Sequence, residues 1–245
     1  MSELIVLGSC GAWPEPGRAC AGFLLTHEDF RVVLDLGYGT VGALLDHCPR
    51  GEVDAVIVTH RHPDHCVDLS ALARVRHYEA PDSPRIPLYC EPGVLDVLRA
   101  LEPRPDPATV FEVHDLGRPA RVGPFSLTPF PLPHHVPDYG VRLAAPGLTV
   151  AYTGDCGPTE ALRELARDSD LFIADATLQE EAPPGSPRGV MTATEAATWA
   201  AAAGARRLLL THFWPGSDRA ISAAQARAVF GGEVIVAEEG LVVAL

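Results

Sequence analysis

The side chains of this chain that are best suited to chemistry lie in one short HxHxDH motif that begins at His60. Composition alone would produce this pattern on the order of once in a thousand such chains. His60 and His62 are two residues apart, so in an extended chain their rings point to the same side and can hold one metal ion. Asp64 and His65 follow Pro63, which suits the first turn of a helix, so we expect them to serve a second ion. The alternative interpretation is a solvated, histidine-rich turn.

Further side chains of metal-ligand type follow apolar, strand-like runs downstream. They are His134 or His135, Asp155 and His212. Taken singly, each is more often an ordinary hydrogen-bonded loop residue. Loops at strand ends converge on one crevice in open α/β sheets, however. Together with the strand end before His60, four strand ends carry such residues, and this favours a shared metal site. Imidazole and carboxylate groups are the ligand set of zinc, for which manganese and iron compete.

The overall charge narrows the chemistry further. The 245 residues include 32 Asp and Glu against 19 Lys and Arg, which gives a formal net charge of −13, and every one of the cations is arginine. Because lysine and asparagine are absent, Schiff-base lysines, a P-loop lysine, Ser-Lys dyads and a Cys-His-Asn triad are excluded. The acidic balance disfavours a nucleic-acid partner, which needs a broad cationic face. We therefore expect a small-molecule substrate.

One glycine-rich stretch imitates a dinucleotide-binding motif. The segment Gly37–Gly42 satisfies the pattern GxGxxG and follows the apolar run Val32–Leu36. A nucleotide-binding fold also needs an acidic residue at the end of the next strand, whereas the run Ala55–Val58 is followed by a threonine and a histidine. We interpret the stretch as a tight glycine turn.

Short apolar runs predict strands, and stretches with helical periodicity lie between them. The predicted strands are Leu4–Leu7, Phe23–Leu25, Val32–Leu36, Ala55–Val58, Phe125–Phe130, Leu148–Tyr152, Leu171–Ala174, Leu208–Leu210 and Val234–Val236. The predicted helices are Leu69–Tyr78, Val94–Leu101, Thr159–Arg167, Thr194–Ala203 and Ser222–Phe230. The order of these elements predicts an α/β fold with two packed sheets and helices outside. The proline-rich stretch Glu180–Gly189 is predicted to be a loose surface loop.

The sequence carries no long linker, so we predict a single domain over residues 1–245. Its six cysteines form no CxxC pair, which favours reduced thiols in the cytoplasm over a secreted, disulfide-bonded protein. No signal peptide is recognisable, and no apolar stretch is long enough to span a membrane. The oligomeric state is left open, a homodimer included.

With these motifs in their order, the sequence resembles the metallo-β-lactamase fold superfamily, and within it the branch of ribonuclease Z and related phosphodiesterases. The matching stretches are Leu7-Gly8, Asp35-Leu36-Gly37, His60–His65, His134–Gly140, Tyr152–Asp155 and Thr211-His212-Phe213. The resemblance therefore covers nearly the whole chain. It implies a four-layer αββα sandwich with two divalent metal ions, most simply zinc.

The resemblance also implies which residues bind each ion. The first ion is expected on His60, His62 and His134, the second on Asp64, His65 and His212, with Asp155 bridging. Within the family the ligand stands six residues before the glycine at position 140, which selects His134 over His135. Asp64 is expected to be the catalytic residue as well, because its carboxylate would orient the attacking water.

Two departures from the ribonuclease Z branch concern the substrate. That branch has a histidine ahead of the helix containing Ala193–Ala203, paired with an acid at the position of Asp175, and this histidine protonates the leaving group. Here the stretch Gly189–Thr192 places Val190 where the histidine would stand. The inserted basic arm that holds tRNA is also absent. Both departures disfavour tRNA processing and leave the general acid unidentified.

The sequence thus predicts a dinuclear, metal-dependent hydrolase. Two ions about 3.5–4 Å apart lower the pKa of a bridging water and supply hydroxide for in-line attack. The preferred substrate is a small phosphodiester such as a cyclic nucleotide. The alternatives are a carboxylic ester, thioester or sulfate ester hydrolase of the same fold, a tRNA 3′-processing endonuclease, and a non-catalytic metal-binding module.

Overall fold

The computed structural model describes residues 2–179 and 188–245. These residues fall into two compact units. Of the described residues, the first unit comprises 2–9, 13–116 and 238–244, and the second comprises 10–12, 117–179, 188–237 and 245. Most of the predicted surface loop Glu180–Gly189 lies outside the described residues.

The first unit contains a seven-stranded mixed sheet. Its strands are Ser2–Gly8 (β1), Gly22–His27 (β2), Phe30–Leu36 (β3), Ala55–Ile57 (β4), Ile86–Cys90 (β5), Phe111–Asp115 (β6) and Val242–Ala244 (β14). They are arranged in the order β14-β1-β2-β3-β4-β5-β6. The pairs from β14 to β3 are antiparallel and those from β3 to β6 are parallel. The carboxyl ends of β3 and β4 therefore meet at one edge, where Asp35 lies near the end of β3 and the HxHxDH motif follows β4.

The helices of the first unit cover one face of this sheet. They are Thr40–His47 (α1), Pro63–Cys66 (α2), Leu69–Glu79 (α3), Gly93–Leu101 (α4) and Pro107–Val110 (α5). Alternate strand residues point to the same face. On this face Leu24, Val33, Val56 and Leu88 belong to one buried cluster with Leu98 of α4. Burial of each such side chain stabilises the fold by roughly 1.5–3 kcal/mol, so the strand ends are held by a firm apolar layer.

The second unit also contains a seven-stranded mixed sheet. Its strands are Ala120–Val122 (β7), Phe125–Leu132 (β8), Asp138–Ala145 (β9), Leu148–Tyr152 (β10), Leu171–Asp175 (β11), Arg207–Thr211 (β12) and Glu233–Val236 (β13). Their order is β13-β12-β11-β10-β9-β8-β7, with parallel pairs from β10 to β13 and antiparallel pairs from β7 to β10. The parallel strands β10, β11 and β12 end at the same edge of the sheet, and a candidate site residue follows two of them.

The described part of the second unit contains the helices Ala161–Leu165 (α6), Ala193–Ala203 (α7) and Arg219–Arg227 (α8). A capping box begins α7, in which Thr192 Oγ1 accepts from the Glu195 amide at 3.2 Å and the Glu195 carboxylate accepts from the Thr192 amide at 2.9 Å. Gly204 ends α7 with a left-handed φ of 71°, as the sequence predicts for a C-cap glycine.

All the apolar runs predicted to be strands coincide with strands, except that the run Ala55–Val58 extends one residue beyond β4, and the helix predicted to begin near Pro63 is α2. The strands β5, β6, β7, β9 and β14 and the helices α1 and α5 were not predicted. Helix α8 begins at Arg219, ahead of the predicted Ser222. Within the described ranges, every helix falls short of the length and apolar character that a bilayer crossing requires.

Candidate functional site

In the first unit, β4 carries two of the predicted ligands to the edge of its sheet. The chain after β4 remains extended up to His62, whose backbone has φ −63° and ψ 140°, and Pro63 then begins α2. His60 is fully buried and His62 is partly exposed. The distance from His60 Nε2 to His62 Nδ1 is 3.1 Å. Two nitrogens bound to one tetrahedral zinc ion lie about 3.3 Å apart, so this pair suits one shared ion, as the spacing predicts.

The first turn of α2 supplies the next two predicted ligands. Asp64 and His65 are both buried, and Asp64 Oδ2 lies 3.7 Å from His65 Nε2. The ring of His65 packs against that of His60 with centroids 4.2 Å apart. The structure therefore brings together all four side chains that the motif contributes, within a helical turn and the extended segment before it.

Asp35 forms hydrogen bonds that orient the side chains of this group. It lies near the end of β3, fully buried, with a left-handed φ of 55°. Its carboxylate accepts from the Thr59 amide at 2.8 Å, the Thr59 hydroxyl at 2.9 Å and His65 Nδ1 at 2.7 Å. Because the Thr59 hydroxyl donates to Asp35, it can accept from His60 Nδ1, which lies 3.1 Å away. Both rings thus direct Nε2 away from Asp35, and this is the tautomer that a metal ion requires.

Gly37 allows the loop after β3 to approach α2. A Cβ atom at this position would lie 1.8 Å from the carbonyl oxygen of Asp64. Only glycine fits so close an approach of two backbones. Residues 37–39 form a turn, as predicted, but the rest of the glycine stretch is helical, because α1 begins at Thr40, whose hydroxyl donates to the Gly37 carbonyl at 2.7 Å.

In the second unit, a carboxylate lies between two histidine rings. Asp155 follows β10, and its side chain is buried. Asp155 Oδ1 is 3.1 Å from His212 Nε2, and Asp155 Oδ2 is 3.9 Å from His134 Nε2. The structure thus places two predicted ligands of this unit, His134 and His212, around the third, Asp155. An oxygen directed to each ring is the arrangement that a bridging carboxylate needs.

The structure distinguishes His134 from its neighbour. The His134 side chain is 3% exposed, and Nδ1 donates to the carbonyl oxygen of Gly189 at 2.8 Å. A Cβ atom on Gly189 would lie 2.6 Å from that ring nitrogen, so the glycine is needed here. His135 is exposed, and its ring centroid is 5.1 Å from that of His134. His134 is the residue whose Nε2 is directed to Asp155, and its choice as the ligand stays a prediction.

His212 is oriented by a relay of buried groups. Its Nδ1 lies 2.7 Å from the hydroxyl of Thr177, which in turn donates to Asp175 Oδ1. The Thr177 hydroxyl therefore accepts from His212, which leaves Nε2 for a metal ion. Asp175 is fully buried, and desolvation raises the pKa of its carboxyl group. Its second oxygen accepts from the Met191 amide at 2.9 Å.

The donor set in both units fits divalent transition metals. In His65, His134 and His212, Nδ1 bonds to a protein oxygen while Nε2 is turned to a carboxylate of the predicted set. Ligating histidines almost always have such a partner on the other ring nitrogen. These partners were not predicted from the sequence. Only Asp35 carried a signal, as an acid near a strand end, whereas Thr59 and Thr177 look like ordinary strand-end residues.

Comparison with known proteins identifies the family. The model of the beta-lactamase superfamily domain matches residues 31–213. The chain belongs to the metallo-β-lactamase superfamily.

Relatives of this family match along almost their whole length. An uncharacterized protein of Mycobacterium leprae, ML1173, is 34% identical over 246 residues, which cover 95% of this chain and 84% of that protein. The probable metallo-hydrolase YhfI of Bacillus subtilis is 28% identical and is covered to 98%, as is this chain. The YhfI crystal structure superposes with a TM-score of 0.88 over 99% of this chain and 98% of that one. Human tRNase Z, short form, reaches a TM-score of 0.80 at 25% identity over 99% and 98%.

These similarities confirm the α/β class and the metallo-β-lactamase fold that the sequence predicts. The chain is a metal-dependent hydrolase, similar to ribonuclease Z enzymes and to YhfI. The alternative of a non-catalytic metal-binding module is set aside accordingly.

Proposed function

We propose that this hydrolase is a phosphodiesterase that cleaves small phosphodiesters, cyclic nucleotides included, at a dinuclear zinc centre. Manganese and iron are the alternative metals, since they accept the same imidazole and carboxylate ligands. The proposed ligands of the first ion are His60, His62 and His134, those of the second are Asp64, His65 and His212, and Asp155 is shared. The ligands come from both halves of the sequence, so we also propose that residues 1–245 work as one catalytic domain.

The position of Asp155 is the observation that carries this proposal. Its two oxygens are directed to Nε2 of two different histidines, at 3.1 Å for His212 and 3.9 Å for His134. A structural zinc ion needs only four ligands, and a set of seven exceeds what one tetrahedral ion can use. A carboxylate that serves two histidines supports two ions with a shared ligand.

The chemistry divides between the ions and the protein. When bound, two divalent ions supply a nucleophilic hydroxide from water near neutral pH and withdraw charge from the phosphoryl oxygens. Asp64 has a double role in the proposal, as a ligand and as the acceptor that orients the attacking water. Its side chain is 10% exposed, so one oxygen can bind metal while the other meets solvent that enters the site. Asp35 and Thr177 hold the histidine rings in the required tautomer.

Within residues 2–179 and 188–245, the position at which the ribonuclease Z branch has its proton donor carries no titratable side chain. Val190 stands where the ribonuclease Z branch has its histidine. Asp175, the acid that would pair with this histidine, is fully buried and bonds to the Met191 amide and to Thr177 instead. A carboxylate engaged on both oxygens and shielded from solvent is a poor proton shuttle. In the proposed mechanism, the leaving oxygen would therefore be stabilised by the metal ions alone.

The charge of the molecule supports a small substrate. A net charge of −13 repels the phosphate backbone of a nucleic acid. A small phosphodiester can instead be bound by the metal ions alone. The likeness to human tRNase Z keeps tRNA 3′-end processing as the second candidate. Free, buried cysteines support a cytoplasmic location for either activity.

The proposal is tested by a panel of chromogenic substrates with zinc-loaded protein. We expect turnover of bis(4-nitrophenyl) phosphate and of a 3′,5′-cyclic nucleotide, with little turnover of 4-nitrophenyl acetate, a thioester or 4-nitrophenyl sulfate. Asp64→Ala should abolish the phosphodiesterase activity because it removes the proposed water-orienting group. Asp96→Ala is the matched control, since Asp96 is an exposed acid in α4 of the same unit. Turnover of an ester or sulfate in preference to the phosphodiesters would contradict the proposal.

A further inference from the structure

His212 has a left-handed backbone conformation, which is uncommon for any residue other than glycine. Its φ is 57°, in the left-handed region that non-glycine residues rarely adopt. Such strain persists only where the surrounding structure over-determines the conformation. The contacts around His212 must therefore hold it in place, and they are found within the second unit.

One set of contacts lies on the ring and the peptide of His212. Thr177 Oγ1 is 2.7 Å from Nδ1 and 3.0 Å from the carbonyl oxygen of His212. On another side the ring lies against Gly11, where a Cβ atom would come within 2.6 Å of Cε1. The Gly11 amide donates to the carbonyl oxygen of Phe213 at 2.9 Å. The segment Cys10–Ala12 thus packs against the His212 ring. It is also hydrogen-bonded to Phe213, the residue that follows His212.

A buried arginine contacts both Phe213 and the segment Cys10–Ala12. Arg219, the first residue of α8, is 7% exposed, and its guanidinium carbon lies 4.7 Å from the centroid of the Phe213 ring. Its terminal nitrogens donate to the Ala237 carbonyl at 2.7 Å and towards Cys10 Sγ at 3.5 Å. The planar guanidinium group of Arg219 therefore contacts the Phe213 ring, Cys10 and Ala237, the residue that follows β13.

We propose that Arg219 is a positioning residue that holds His212 in its strained, metal-binding conformation through Phe213 and Cys10. The inference rests on the proposed function in one respect only, namely that His212 is a metal ligand. Guanidinium is planar, with donors that point in fixed directions, and it stacks on aromatic rings. When the guanidinium group is removed, the contact between the segment Cys10–Ala12 and Phe213 should loosen. His212 then relaxes to a backbone conformation that points its ring away from the ligand position.

The test measures zinc affinity, not turnover, by competition with a chromophoric chelator. Wild type should show two binding steps, and His212→Ala identifies the step that depends on His212. Arg219→Met should weaken that same step by about 10–100-fold, as expected for groups that orient a ligand, and leave the other step unchanged. Arg227→Met is the matched control, because Arg227 also reaches from α8 to a strand carbonyl, that of Val234 at 3.5 Å, but lies far along the helix.

A double variant separates positioning from general destabilisation. If Arg219 acts through His212, then Arg219→Met in the His212→Ala background should cause no further loss of zinc affinity. Additive losses in the double variant would overturn the proposal, and so would wild-type zinc affinity of Arg219→Met accompanied only by a lower Tm of the metal-free protein. If His212→Ala itself binds zinc like wild type, the proposed metal centre fails first, which distinguishes the two failures.

A second variant covers the case in which Arg219→Met does not fold. Arg219→Lys keeps the positive charge in the buried position, but a single ammonium group cannot contact Ala237, Cys10 and the Phe213 ring together. We expect it to lose affinity at the step that His212→Ala removes. Wild-type affinity at that step would overturn the proposal.

Discussion

At the scale of single residues, the site uses three different acceptors for the same task. His65 donates to the Asp35 carboxylate, His134 to the Gly189 carbonyl, and His212 to a hydroxyl, that of Thr177. Each bond fixes a tautomer and turns Nε2 to the predicted ligand position. The residues that bind these ring nitrogens lie up to 55 positions away from their histidine, as in the case of His134 and Gly189.

The two adjacent histidines provide the first prediction. His134→Ala should lower metal occupancy to near one ion per chain and remove most activity, because His134 is oriented by the Gly189 carbonyl towards Asp155. His135→Ala should keep both ions and lose at most a moderate part of the rate, since its ring is exposed. Elemental analysis and rates measured on the same samples check both variants. Loss of a metal ion in His135→Ala alone would mean that the assignment must be exchanged.

The buried thiols provide a prediction about pH. Burial raises the pKa of Cys66 and of Cys90 to about 12, and Cys156 is shifted in the same direction by full burial. A folded thiol with a raised pKa keeps its proton while the unfolded thiol, with a pKa of about 8.5, loses it. The unfolded state therefore binds fewer protons above about pH 8.5, and the free energy of unfolding should fall as the pH rises from there.

Two measurements check this prediction about the thiols. Urea titrations between pH 7.5 and 9.5 should show a decreasing free energy of unfolding. A thiol reagent at pH 8 should react slowly with the native protein and rapidly with all six cysteines in urea. Fast labelling of native Cys66, identified by mass spectrometry, would contradict the full burial of this thiol.

At the scale of secondary structure elements, the strands and the proposed ligand positions follow from the same pattern. Buried strands leave apolar runs, and His60, Asp155 and His212 lie two or three residues after such runs. The strands that were missed lack such runs. Pro87 interrupts β5, β6 alternates with exposed polar residues such as Glu112, and β7 has only three residues.

The partners of the ligands could not be predicted in this way. Thr177 contacts His212 only because β11 and β12 are parallel neighbours, with Asp175 opposite Thr211. Gly189 contacts His134 through a loop-to-loop approach that leaves no local pattern. Such contacts depend on which strands pair, and hydrophobic periodicity carries no information about pairing partners.

The glycine turn before α1 allows a prediction with an internal control. Gly37→Ala would place its Cβ 1.8 Å from the Asp64 carbonyl oxygen, so it should destabilise the protein by several kcal/mol or prevent folding. Gly42→Ala adds a methyl group at the third residue of α1, where no atom outside the helix backbone lies within 4 Å, and should stabilise the protein by up to about 0.5–1 kcal/mol. Urea denaturation measures both. Equal stability of the two variants would contradict the close approach of this turn to α2.

At the scale of the whole molecule, the proposed centre predicts a metal stoichiometry and a dependence of stability on metal. Protein purified without chelator should contain close to two transition-metal ions per chain, because seven ligands exceed the needs of one ion. Chelation should lower the Tm, since ions that bind only the folded state stabilise it by mass action. A reproducible content of one ion or fewer after incubation with excess zinc or manganese would contradict the dinuclear centre.

The charge of the whole molecule decides between a small substrate and tRNA. Arginine alone provides the 19 cations, and they are outnumbered by 32 acids, so few of them can neutralise phosphates without an acidic neighbour. Phosphate contacts dominate affinity for nucleic acids and make it steeply dependent on salt. We expect zinc-loaded protein to bind precursor tRNA with a Kd weaker than about 1 μM at physiological ionic strength.

Fluorescence anisotropy with labelled precursor tRNA at several salt concentrations measures this affinity, and a gel assay of the same samples detects cleavage. Asp64→Ala provides the control for binding without turnover, because it removes one acid from the site and leaves the remaining surface unchanged. A weak, nearly flat salt response agrees with a surface that makes few phosphate contacts. Submicromolar, salt-sensitive binding with cleavage at the 3′ end would instead mean that a local group of arginines overcomes the net charge, and that tRNA is the substrate.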